Sequence, residues 1–277
     1  MFTNSESILF IGGYDEVDVP QVMVFSGGEV GVRVGLEHRD RPARIEARLR
    51  SANDVLELLS VWDALKRGRG VSDVELWVPY FPYARQDRVC AEGEALGASV
   101  MAGLINSLGA FSVTVFDPHS DVSPALINNC DIIHQSEFVT EIFEGFSGYI
   151  IAPDAGAEKK AAISAKALGC ELITARKTRN PQTGEITGTV VDCDMLDGKP
   201  CLIVDDICDG GRTFTELAKI LKERGAGKIT LYVTHGIFSR GFDVFNGLID
   251  EIHYTNSLAQ QPGKLSSFIH KKELNNA

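Results

Sequence analysis

The hydrophobic pattern switches between two periods along the chain. Short β-branched and aliphatic runs end at Gly, Pro or Asp. Between them lie stretches whose apolar residues recur every three to four positions. Residues 7–11 form a candidate strand ending in Gly12-Gly13. Residues 52–65 carry apolar side chains at 55, 56, 58, 59 and 62, which predicts an amphipathic helix. Residues 74–78 read as a strand stopped by Pro79, 97–108 as a helix and 112–116 as a strand. Further on, 149–152 is a strand, and 157–168 is a helix ended by Gly169. Residues 201–204 are a continuous apolar strand, and 229–234 is the last clear one. Strand and helix alternate, so the expected class is α/β, with mostly parallel sheets flanked by helices.

Two features modify that frame. Residues 175–189 are polar and contain Asn180-Pro181 and Gly184, which predicts a mobile loop or hairpin tip. Both halves also show strands that stop at an Asp-containing turn, which suggests a coarse duplication. The boundary is expected near 131–138, giving an N-terminal domain over 1–135 and a C-terminal domain over 136–277.

Composition narrows the function classes. Hydrophobic residues make up 44% and charged residues 23%, enough apolar material for a real core. The formal net charge of -11 repels nucleic acid and acidic membranes. An anionic ligand must therefore be held by local cations or backbone N–H groups. The 6 cysteines show no zinc-site spacing and are expected to be reduced cytosolic thiols. The first ten residues do not read as a signal peptide, and no apolar run approaches the roughly 20 residues that span a bilayer. A cytoplasmic protein is expected.

The most informative run is Cys201-Leu-Ile-Val-Asp-Asp-Ile-Cys-Asp-Gly-Gly-Arg-Thr-Phe214. A buried strand delivers Asp205 and Asp206 to its carboxyl end, and a loop with Gly210 and Gly211 leads into a helix. Thr213 with Glu216 fits a capping box, and Phe214, Leu217, Ala218 and Leu221 share one helical face. A glycine loop feeding a helix N-terminus presents N–H groups to an anion, and the carboxylates can accept bonds from sugar hydroxyls. The combination predicts a site for a phosphorylated sugar. Pro79-Tyr-Phe-Pro-Tyr-Ala-Arg-Gln-Asp-Arg88 is a Pro-stiffened aromatic turn at a strand end that aims Arg85, Gln86 and Arg88 into a cleft.

The first of these runs resembles the phosphoribosyl motif of type I phosphoribosyltransferases. The second resembles the ATP-binding segment of ribose-phosphate diphosphokinases. Three more segments agree with that family in order and spacing, and a fourth matches it. Phe25-Ser-Gly-Gly-Glu29 is similar to the loop that reaches ATP from a neighbouring subunit. Asp117-Pro-His119 and Pro153-Asp-Ala-Gly156 are similar to the segments that serve the metal–ATP unit. Arg176-Lys-Thr-Arg179 is similar to the flexible catalytic loop. A further segment, His235-Gly-Ile-Phe238, matches a strand end to which we assign structure rather than chemistry.

The resemblance implies tandem phosphoribosyltransferase-like domains with the active site between them. It implies transfer of the β,γ-diphosphate of ATP to the C1 hydroxyl of ribose 5-phosphate, with Mg²⁺ as cofactor. Catalytic residues would be Lys177, Arg179 and His119. ATP would meet Phe25, Glu29, Arg85, Gln86 and Asp87. The ribose phosphate would meet Asp205, Asp206, Asp209, Gly210, Gly211, Arg212 and Thr213. The metal would face His119, Asp154 and Asp117, and a dimer-based homo-oligomer, with a hexamer as one form of it, would share the ATP site. Arg212 departs from the family's small loop residues, as does the region 38–52. That departure keeps ADP-ribose open as an alternative acceptor, which would link the reaction to NAD metabolism. A non-catalytic regulatory homologue is the rival of another class, and the intact Asp117, His119, Asp154, Lys177 and Arg179 argue against it.

Overall fold

The computed structural model describes residues 2–11, 17–35, 43–69, 73–179, 186–258 and 269–273. They form two compact units, one of the described residues up to Ile133 together with Ser257 and Leu258, the other of His134–Asn256 together with 269–273.

The first unit contains β1 (Thr3–Asn4), β2 (Ile8–Ile11), β3 (Val17–Asp18), β4 (Gln21–Val24), β5 (Val30–Arg33) and β6 (Ala43–Ala47). It continues with α1 (Ala52–Arg69), β7 (Val74–Val78), α2 (Gly97–Ser107), β8 (Ser112–Phe116), α3 (Val122–Leu126) and β9 (Cys130–Ile133). Its main sheet has the order β3-β2-β6-β7-β8-β9. From β6 to β9 the pairing is parallel, while β2 runs antiparallel to β6. A small antiparallel sheet, β1-β4-β5, was not foreseen.

β7 shows why the strands form: Val74, Leu76 and Val78 point inward, and Glu75 points out. On α1 the buried stripe is Val55, Leu58, Val61, Trp62 and Leu65. Leu56, expected on that stripe, is exposed instead. The Asp54 carboxylate accepts the Ser51 N–H at 2.7 Å and the Arg50 N–H at 2.9 Å, closing the helix start. The helix outruns its predicted end, with Arg67 paired to Asp63 at 2.7 Å in the last turn.

The second unit contains α4 (Gln135–Ile142), β10 (Tyr149–Ala152), α5 (Glu158–Leu168), β11 (Glu171–Arg179), β12 (Ile186–Val191) and β13 (Cys201–Cys208). Next come α6 (Arg212–Glu223), β14 (Ile229–Gly236), β15 (Glu251–Thr255) and β16 (Ile269–Glu273). Its sheet has the order β12-β11-β10-β13-β14-β15-β16, parallel from β11 to β15 with an antiparallel strand at each edge. β13 and β14 are buried along almost their whole length, the mark of central parallel strands covered on both faces. Gly169, with φ 68°, ends α5 as predicted.

Two expectations are corrected here, and the expected hairpin at 175–189 is narrowed to its strands. Much of the stretch 175–189 is strand: residues 175–179 pair only with β12, as an arm running past the last partner on β10. Residues 180–185, the expected tip, lie outside the described residues. β13 does not stop at Val204, because its ladder with β14 continues through Asp205, Ile207 and Cys208. The capping box at Thr213 does not form. Gly211, in the left-handed region, is the N-cap, so Thr213 already lies inside the first turn and Glu216 pairs with Arg212.

Candidate active site

In a parallel sheet, ligands collect at the carboxyl ends of the strands, where loops and helix N-termini converge. The predicted residues of the second unit lie at that edge. Asp154 follows β10, and its Oδ1 accepts the Gly156 N–H at 2.9 Å and the Ala157 N–H at 3.2 Å at the entrance to α5. On the neighbouring strand β13, Asp206 is buried and Asp205 half-buried. The Asp206 N–H donates to Asp205 Oδ1 at 2.9 Å, and the two carboxyls are hydrogen-bonded to each other. Burial, then the adjacent Asp206 carboxylate, pushes the Asp205 carboxyl well above the usual range, and Asp154 adds to the effect.

The glycine loop follows directly. Gly211 has φ 78°, and a Cβ there would lie 2.5 Å from Cζ of the buried Phe245 ring, so the backbone is pressed onto an aromatic floor. Gly210 is flanked more loosely: its added Cβ would lie 3.5 Å from Arg240 Nε, an ordinary contact distance. The loop is tied to the segment after β14. The Ser239 N–H donates to the Asp209 carbonyl at 3.1 Å, and the Ser239 hydroxyl donates to Asp209 Oδ1 at 2.7 Å. Arg212 opens α6 fully exposed, with its Nε on Glu216 Oε1 at 2.7 Å. The backbone of Lys177 and Arg179 lies in β11, with a register shift at Thr178/Arg179; their side chains lie outside the described residues.

The first unit assembles its own constellation. After β7 the chain turns through Tyr83, a residue with φ 62°, while Phe81 and Ala84 are buried beneath it. The Gln86 side chain lies across Gly97, where any Cβ would meet Gln86 Oε1 at 2.3 Å and push the amide aside. Arg85 and Gln86 are exposed. Asp87 accepts a hydrogen bond from the Ser120 hydroxyl. That bond, opposed by burial and helped by Arg88 and then His119, holds its carboxyl below the usual range. The bond fastens the Pro79–Arg88 segment to the Asp117–His119 turn. Asp117 is buried at φ 36°, with its N–H donated to the Ile133 carbonyl at 2.8 Å, and His119 is exposed beyond it.

Phe25 and Glu29 sit at the tip of the β4–β5 hairpin, closed by the Phe25 N–H on the Glu29 carbonyl at 2.9 Å. The Phe25 ring crosses Gly31 and stays half exposed, beside an exposed Val24.

Among the described residues, no three His, Cys, Asp or Glu side chains converge as a metal cage. Asp117 and His119 stand on a turn of the first unit and Asp154 on a turn of the second. All six cysteines are free thiols, and burial pushes Cys208 up to about 12, which makes it unreactive. Ser120, Ser239 and Arg240 escaped the sequence reading. Their only signal was position, directly after a parallel strand.

A parallel strand that delivers a carboxylate pair, a glycine loop and a helix N-terminus to one sheet edge defines a phosphoribosyltransferase-type α/β protein. Known proteins narrow this further. Residues 133–252 match the phosphoribosyl transferase domain, and 16–109 match the N-terminal domain of ribose phosphate pyrophosphokinase. The ribose-phosphate pyrophosphokinase of Pyrococcus abyssi is 34% identical over 256 residues, covering 89% of this chain and 86% of that protein. The one from Mycoplasmopsis pulmonis is 32% identical over 218 residues, covering 74% of this chain and 65% of that protein. The crystal structure of phosphoribosylpyrophosphate synthetase from Mycobacterium smegmatis superposes with a TM-score of 0.73 at 25% identity, covering 92% of this chain and 84% of that one. The chain belongs to the ribose-phosphate pyrophosphokinase family and is an enzyme of the diphosphotransferase class.

Proposed function

We propose that this enzyme moves the β,γ-diphosphate of ATP onto the C1 hydroxyl of ribose 5-phosphate, giving phosphoribosyl diphosphate and AMP. The observation that carries this reading is the Asp205–Asp206 pair standing directly before the Gly210–Gly211 loop and the start of α6. The carboxylates accept the ribose hydroxyls, and residues 209–213 receive the 5-phosphate on backbone N–H groups at the positive end of the helix dipole. Arg85, Gln86 and Asp87 bind ATP, completed by Phe25 and Glu29 from a neighbouring subunit of a homo-oligomer. An aromatic ring half exposed at a hairpin tip supports that sharing.

Bound Mg²⁺ would neutralise phosphate charge, and His119, Asp117 and Asp154 are the residues proposed to meet it. The hydrogen bond from Ser120 to Asp87 supports a joint role for the ATP segment and the His119 turn. Lys177 and Arg179 act on the charge that spreads over the transferred oxygens, the main route by which proteins accelerate such transfers. Their place on an arm past the sheet edge supports a covering role that excludes water. Six free thiols, with no described helix long and apolar enough to cross a membrane, support a cytoplasmic setting.

A second reading keeps the reaction and takes ADP-ribose as acceptor. The observation favouring it is the exposed Arg212 at the open edge of the loop. The test is AMP release from ATP by the purified protein, with ribose 5-phosphate and ADP-ribose run separately, with Mg²⁺ and with excess chelator. AMP formed stoichiometrically with phosphoribosyl diphosphate, and stopped by chelator, is the expected result. Release of ADP, or AMP release independent of acceptor, would overturn the assignment.

A further inference from the structure

We propose that Arg240 is a direct ligand of the acceptor's phosphate and a specificity-determining residue of the site. This rests on the reading of residues 209–213 as the phosphate cradle. Arg240 stands on the turn after β14, the strand next to β13, so it reaches the loop from a neighbouring strand end. A Cβ placed on Gly210 would meet its Nε at 3.5 Å and its Cδ at 3.6 Å. The guanidinium stem therefore lies along the glycine whose backbone would face the anion.

The placement is built rather than incidental. Ser239 grips Asp209 through both its N–H and its hydroxyl. The Gly241 N–H returns to the Phe238 carbonyl at 2.8 Å, closing the turn that carries Arg240. Phe238 anchors that turn, with its ring 4.5 Å from Phe242 and 5.2 Å from Tyr254. Gly211 rests on Phe245, whose ring meets Phe238 edge-on at 6.2 Å, so loop and turn share one aromatic base.

Charge completes the argument. Arg212, the other cation at the loop, is engaged by Glu216. Arg240 has no ion pair or hydrogen bond among the described residues. An exposed arginine standing beside the start of a helix gains nothing from the dipole there, because both are positive. An anion between them reverses the sign of the interaction. A planar fork can then add charge-assisted bonds to those from the backbone.

The test uses the purified full-length protein with Arg240→Ala and Arg240→Lys. KM for ribose 5-phosphate, KM for ATP and kcat are measured, with calorimetric binding of ribose 5-phosphate alongside. Arg240→Ala is expected to weaken acceptor binding and raise its KM about tenfold or more, with kcat and KM for ATP near wild type. Arg240→Lys should recover part of the loss, because charge remains while the fork is gone. Unchanged acceptor affinity in Arg240→Ala overturns the proposal, and so does an equal loss on the ATP side, the mark of a merely structural role. A wild type that neither binds nor uses ribose 5-phosphate overturns the underlying reading as well, which separates the two failures.

Discussion

Gly211→Ala should damage both stability and catalysis, and the structure sets the scale. At φ 78° an alanine occupies the left-handed region, at a cost of about 1–2 kcal/mol. Its Cβ would also sit 2.5 Å from Cζ and 2.8 Å from Cε1 of Phe245, which is 1% exposed and has no room to retreat. Overpacking of this kind costs about 1–3 kcal/mol. The total is about 2–5 kcal/mol, read by urea unfolding at fixed protein concentration. The two contributions separate in a cycle with Phe245→Ala. Without the ring, Gly211→Ala should cost only its backbone part, leaving a coupling of about 1–3 kcal/mol. To restore ordinary contact the loop must move by about 1 Å, and a misplacement of that size lowers kcat/KM for the acceptor by about 10²-fold. A stability loss under about 0.5 kcal/mol, or one equal in both backgrounds, would refute the packing argument.

Two further outcomes are expected. Lys177→Ala with Arg179→Ala should lower kcat by orders of magnitude and leave calorimetric binding of ribose 5-phosphate nearly unchanged, since these cations act on transition-state charge; undiminished turnover would remove them from the mechanism. Burial, with Lys228 adding to it, pushes His253 on β15 down to about 4, its ring packed 4.8 Å from Phe143. The fold therefore favours the neutral ring. That stability is intact above the unfolded value near 6.5 and is lost as pH falls from there toward 4. His253→Gln should flatten the dependence of Tm on pH in that window, and identical profiles would contradict the assignment.

The central strands were legible because their apolar runs end at strong punctuators. β8 and β10 fall where the pattern put them, and the helix before Gly169 ends where it should. The misses share a cause: backbone pairing leaves no trace in hydropathy. β13 carries two aspartates through its ladder because Val233 and His235 on β14 offer partners for the main chain whatever the side chains are. β11 carries Lys177 and Arg179 because β12 folds back along it. The β1-β4-β5 sheet rests on strands of two to four residues, too short for alternation to stand out. Thr213 misled because a capping box needs its Thr at the N-cap, and the backbone freedom of Gly211 moved the helix start upstream.

The same asymmetry governs the site. Residues that act together within one segment can be recognised from that segment, as with Asp205, Asp206 and the glycines after them. Residues that act together across strand ends cannot, because sheet order decides which ends are neighbours. Asp209 meets Ser239 because β13 and β14 are adjacent in the sheet, and nothing in either segment announces the other. Arg212 drew attention because it interrupts a recognisable loop, yet its guanidinium is engaged by Glu216 on the exposed side of α6. An exposed pair of that kind contributes about 0.3–0.5 kcal/mol, so an incoming anion displaces it at little cost, but it brings no fixed geometry. Arg240 looked unremarkable in a strand-end segment, yet it stands on a turn that Ser239 ties to Asp209 by two hydrogen bonds and that Phe238 anchors on an aromatic base. Selectivity for one phosphate ester over another depends on donors that keep their place when the ligand changes. By that criterion the choice of acceptor is proposed to rest with Arg240, on the turn tied to Asp209 across the sheet, rather than with Arg212.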